Sequence, residues 1–86
     1  MKNYSVVYLA EAEEELISIW ENASDRTRIA DAANAADEIL ATSPQRRSVY
    51  LGEELWRLDV EPLRFYFAIR EEDRVIEVSN VTRIAD

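Results

Sequence analysis

The chain has 86 residues, with 18 acidic and 10 basic side chains, a formal net charge of −8, and neither cysteine nor histidine. That composition excludes disulfides, thiolate and imidazole metal sites and the common nucleophile–histidine triads, and it lacks the basic excess of a typical nucleic-acid binder. A hydrophobic fraction of 48% with one glycine and two prolines suits a single packed domain over residues 1–86, made of regular elements joined by short links.

The charge is unevenly spread. Residues 1–44 carry nine acidic and three basic groups (Lys2, Arg26, Arg28), whereas residues 45–86 carry nine acidic groups and seven arginines. Arginine keeps its charge when half-buried and presents a planar fork of donors suited to phosphate or carboxylate. No apolar run approaches the ~20 residues of a membrane span, and the Met1-Lys2-Asn3-Tyr4 start has no signal-peptide core, so a cytoplasmic location is expected.

Residues 3–9 are rich in β-branched and aromatic types and predict a first strand. From Ala10 the period changes: Leu9, Ala12, Leu16, Ile19, Trp20 and Ala23 recur at three- and four-residue spacing, with Glu11, Glu13, Glu14 and Glu15 clustered at the start. This predicts an amphipathic helix whose acidic end meets the positive end of the helix dipole. Asn22-Ala23-Ser24-Asp25 interrupts it, with Ser24 or Asp25 capping a second helix. That helix puts Ile29, Ala32, Ala33, Ala36, Ile39 and Leu40 on one face and ends at Ser43-Pro44, where the proline pushes its predecessor out of helical geometry. The alanine-rich stripe predicts a closely packed helical hairpin.

After a polar link containing Arg46 and Arg47 the period becomes two. Trp56, Leu58 and Val60 alternate with Leu55, Arg57 and Asp59. Leu63, Phe65, Phe67 and Ile69 alternate with Arg64, Tyr66, Ala68 and Arg70. Ile76, Val78 and Asn80 alternate with Val75, Glu77, Ser79 and Val81. Three strands with short links form an antiparallel meander. The predicted class is α+β in the order β-α-α-β-β-β, with the helical hairpin on one face of a small, mostly antiparallel four-stranded sheet.

If the bulky apolar residues face the helices, the opposite parity gives an open face holding Arg57, Asp59, Arg64, Tyr66, Arg70, Glu77, Ser79 and, with a longer last strand, Arg83. Two readings fit this set. It is either a solvated face of cross-strand ion pairs, with Asp59 and Glu77 partnering the arginines, or a surface that grips a phosphodiester and stacks a base on the tyrosine.

The order of these segments resembles the RelE/ParE superfamily of bacterial type II toxin–antitoxin systems, over nearly the whole chain. The features that carry it are the opening strand followed by Glu11-Ala12-Glu13-Glu14-Glu15-Leu16, the alanine-rich helix ending at Ser43-Pro44, and Leu51-Gly52 ahead of Leu55-Trp56-Arg57-Leu58. Leu63-Arg64-Phe65-Tyr66-Phe67-Ala68-Ile69 and the closing Val75–Val81 strand complete it. The resemblance implies a plasmid-stabilisation type of toxin neutralised by a cognate antitoxin that wraps an extended segment around the helices, with no cofactor and no metal.

For the RelE branch it implies a ribosome-dependent mRNA endoribonuclease, with Arg57, Arg64 and Arg83 as catalytic residues that position the RNA and stabilise its transition state, and Tyr66 and Arg70 as substrate-binding residues. For the ParE branch it implies inhibition of DNA gyrase by binding, and a third outcome is a degenerate, non-toxic interaction module. The chain departs from the RelE pattern in having Lys2 as its single lysine, no histidine, and no tyrosine after Tyr66.

Overall fold

A computed structural model describes residues 3–84. In chain order the elements are β1 (Ser5–Tyr8), α1 (Ala10–Asn22), α2 (Arg26–Thr42), β2 (Val49–Gly52), β3 (Leu55–Val60), β4 (Leu63–Arg70) and β5 (Val75–Arg83). The strands form one sheet in the order β1-β5-β4-β3-β2. β1 runs parallel to β5, with Ser5 opposite Val75, and every other pair is antiparallel. The α+β class holds, with five strands where the sequence predicts four.

The additional strand is β2. It lies within the stretch read from sequence as a polar link and folds back on β3 through a turn in which Gly52, Glu53 and Glu54 all have positive φ (102°, 52° and 65°). Glycine adopts such a φ freely, while the two glutamates do so against a steric cost. The Glu54 amide donates to the Tyr50 hydroxyl at 3.1 Å, which helps hold the turn. The β3–β4 turn contains a cis peptide between Glu61 and Pro62.

Helix α1 starts with Glu11 and Glu13 in its first turn, at the positive end of its dipole. Its C-terminal residue Asn22 donates back to the Ser18 carbonyl at 2.8 Å. Helix α2 begins after Asp25, whose side chain makes no capping hydrogen bond; its carboxylate is turned to Arg83 instead. Both helices lie on one face of the sheet. Ala12 of α1 and Ile29, Ala36 and Leu40 of α2 join Leu58, Phe65, Phe67, Ile76, Val78 and Val81 in one buried core. Ala12 and Ala36 are fully buried, so the small side chains allow the helices a close approach to the sheet. At about 25 cal/mol per Å² of apolar surface removed from water, burial of the two phenylalanines is among the larger single contributions to stability.

Strand parity is as predicted along β3 and β4, where Leu58, Leu63, Phe65 and Phe67 are completely buried. On β5 it changes. The register slips between Tyr66 and Phe67, which pair with Asn80 and Val78, so Ser79 is an inserted residue. Ile76 and Val78 point inward before this β-bulge, and Val81 points inward after it. An extra residue in one strand offsets the side-chain alternation by one. Val81 therefore takes the core position that sequence alternation assigns to Asn80.

Candidate functional site

The open face of the sheet is built by the outward residues of β3 and β4. Arg57 sits opposite Tyr66 and Asp59 opposite Arg64, so the four side chains form a compact cross-strand group. Arg64 donates from Nε to Oδ1 of Asp59 at 2.8 Å and from Nη2 to Oδ2 at 2.9 Å, a two-pronged pair. Arg57 Nε lies 3.7 Å from the same Oδ1. The Arg57 Nε is buried with no hydrogen-bond partner among the described residues, so its link to Asp59 is one of charge. The Arg64 hydrogen bonds hold the Asp59 carboxyl below the usual carboxylate range, with the charges of Arg64 and Arg57 adding to the effect and partial burial opposing it. Reciprocally, donating these hydrogen bonds to Asp59 raises the already high pKa of Arg64. The group thus carries two cations and one anion at every physiological pH.

Arg70 and Arg83 stand apart from it. Arg70 lies on the same parity as Arg64, six residues along β4, or ~20 Å at about 3.3 Å per residue, and it donates to Glu77 of β5 at 3.1 Å. Arg83 is not on the open face. Beyond the Ser79 bulge its parity matches that of buried Val81, so it projects to the helix side, where it forms a two-pronged pair with Asp25 at 3.0 and 2.9 Å. The expectation that Arg57, Arg64 and Arg83 gather on one surface is thus corrected: the bulge turns the third arginine over the other way. Hydrogen bonding to Arg83 is the main reason that Asp25 is held below the normal carboxylate range.

Two features were not singled out by sequence reading. Glu15 of α1 accepts the Val81 amide at 2.8 Å and reaches Asn80 at 3.4 Å, so a helix carboxylate satisfies backbone that the bulge frees. The second is an apolar groove of about 430 Å³ on the outer side of the helical hairpin, lined by Leu16, Ile17, Trp20, Ile29 and Ala33. Ile17 and Trp20 are 49% and 42% exposed. The available sequence signal was Ile17, which stands outside the predicted core stripe beside Leu16. Among the described residues no group of three metal-ligating side chains comes together, and no helix is long and apolar enough to cross a membrane.

This architecture is shared with solved structures. A chain of the toxin–antitoxin complex RelBE2 from Mycobacterium tuberculosis matches with a TM-score of 0.81 at 20% identity, covering 100% of this chain and 97% of that one. The fold is that of the RelE/ParE toxins. A chain of the chromosomal ParDE system of P. aeruginosa matches at a TM-score of 0.71 and 13% identity, over 96% of this chain and 98% of that one. The isolated E. coli RelE toxin matches at 0.69 and 15%, over 96% and 86% respectively. No protein-family model matches the sequence, and no curated protein matches it. The RelE/ParE fold is thus present at sequence identities where the likeness speaks for architecture.

Proposed function

We propose that this chain is the toxin of a type II toxin–antitoxin module, acting by binding a cellular target and neutralised by a cognate antitoxin. The observation that carries this reading is the match of 100% of this chain to 97% of a chain of a toxin–antitoxin complex at a TM-score of 0.81. The target-binding surface is the Arg57–Arg64–Tyr66 group on the open sheet face, with Arg70 at its periphery and Arg83 outside it.

The mode is binding and not cleavage. General acid–base catalysis needs a group whose pKa can be brought near the operating pH. The chain has no histidine and a single lysine at position 2, and arginines 57 and 64 stay protonated. That favours a ParE-like blockade, with DNA gyrase as the target, over ribosome-dependent cutting of mRNA. The antitoxin covers the apolar groove between α1 and α2, where Ile17 and Trp20 otherwise face water, and an extended segment continues toward the arginine face.

Induced expression tests this directly. Growth should stop, Arg64→Ala should relieve the arrest, and co-expression of the product of an adjacent small open reading frame should restore growth. Inhibited supercoiling with intact mRNA is expected; cleaved mRNA would reverse the assignment of mode. Undisturbed growth on expression of the folded protein would sink the toxin reading.

A further inference from the structure

On the open face Asp59 is shared unequally between two arginines. Both of its oxygens accept hydrogen bonds from Arg64, at 2.8 and 2.9 Å, while Arg57 Nε stands 3.7 Å from Oδ1, too far for a hydrogen bond. That Nε–H is shielded from solvent and unbonded among the described residues, and a donor left in this condition is destabilising until it gains an acceptor. Asp59 does not serve as that acceptor, because its planar carboxylate, tied to β3 by one methylene, is already aligned on the Arg64 fork. The group therefore holds two guanidiniums and an anion that satisfies one of them.

We infer that the Arg57–Arg64 group is a binding site for a terminal phosphate, with Asp59 as the internal anion that occupies it until such a ligand arrives. The site belongs to the target-binding surface, so its assignment rests on that reading and adds the chemical class of the ligand. A terminal phosphate is tetrahedral and has three free oxygens. Two can meet the Arg64 fork while the third reaches Arg57, which the tethered carboxylate does not do. A phosphodiester has two free oxygens and a single charge, so it offers little that Asp59 does not already supply. The net charge of −8 also favours a small phosphate over a long polyanion. Arg57, Arg64 and Asp59 have side chains 32%, 29% and 34% exposed, on the face opposite the helices, so a ligand reaches them from solvent. A pair this exposed holds weakly against a better-fitting, more highly charged competitor.

Titration of the full chain with methyl phosphate, followed by NMR, should move the Arg57 Nε–H and Asp59 carboxyl signals together, whereas dimethyl phosphate and acetate should move neither. Asp59→Asn removes the competitor and should tighten methyl phosphate binding by about tenfold. Glu77→Gln is the charge control. It removes a carboxylate bonded to Arg70 on the same face, opposite Ala68 and so ~13 Å along β4 from Arg64, beyond the screening length. It should change the affinity by less than about twofold. Arg57→Lys keeps the charge but lacks Nε–H, and should erase the preference for the monoester over the diester. A mononucleotide and a tetranucleotide with a 5′-phosphate separate a free nucleotide from a nucleic-acid end as the source, and removing that phosphate should abolish binding of either. Dimethyl phosphate binding as tightly as methyl phosphate, an Asp59→Asn gain matched by Glu77→Gln, or wild-type signals that stay still would each overturn the inference. Growth arrest alongside any of those results leaves the toxin reading standing, and absence of arrest alongside the expected titrations sinks that reading alone.

Discussion

Strands β4 and β5 are neighbours with similarly apolar sequences, yet they place their functional side chains differently. Along β4 alternation runs unbroken from Leu63 to Ile69, and Arg64 and Tyr66 emerge together on the open face. Along β5 a single inserted residue, Ser79, sends Arg83 to the helix side and Val81 into the core. Two arginines that look equivalent by counting thus end on opposite sides of one sheet. Position within a strand predicts a face only as far as the next bulge.

The contrast can be tested at several strengths. Truncating Phe67→Ala in the straight strand should have the largest effect, a loss of about 3–5 kcal/mol in chemical denaturation, since the ring is fully buried and the cavity can relax only in part. Past the bulge, Val81→Ala should cost about 2 kcal/mol, whereas exposed Thr82→Ala should stay within about 0.5 kcal/mol; a reversed ranking would mean that the bulge is not where we place it. Glu15→Ala should cost about 1–2 kcal/mol, because the Val81 amide loses its acceptor.

The acid limb gives the smallest effect. Asp59 has a depressed folded-state pKa, so its stabilisation is fully present above the ordinary aspartate pKa near 4 and disappears as pH falls through the lower folded value. The stability advantage of the wild type over Asp59→Asn should be constant above about pH 4 and shrink as pH falls below it. Alkali acts with the opposite sign on Tyr8, whose hydroxyl donates to Asp37 at 2.8 Å and is pushed upward by burial first and by Asp37 second. The unfolded chain ionises this tyrosine above about pH 10 while the folded chain does not, so stability should fall there, and Tyr8→Phe should flatten the decline.

The degree to which the sequence discloses this structure follows the same division. Both helices, the break at residues 23–25 and the faces of β3 and β4 are written in local periodicity, and the pairing of Arg64 with Asp59 is one of the two outcomes that alternation allowed. Strand β2 was missed because four residues are too few to display a period, and its turn uses two glutamates at positive φ, which composition does not advertise. The turned Arg83 was missed for a tertiary reason. The backbone beside the bulge is satisfied by Glu15, 66 positions before Val81, and a reader of β5 alone sees only uninterrupted alternation.

The parallel pairing of β1 with β5 has a kinetic consequence. Ser5 meets Val75 across a separation of 70 residues, so β1 has no strand to pair with until β5 has been made. At translation speeds of roughly 5–20 residues per second, the N-terminal segment waits on the order of ten seconds, with only the local α1–α2 hairpin available to shelter its apolar side chains. Contacts of such long range also slow the final closure once synthesis is complete. Strand β1 can therefore take its place in the sheet only after residues 75–78 have been made, while the β3–β4 pair that carries the arginine group is local and does not wait for it.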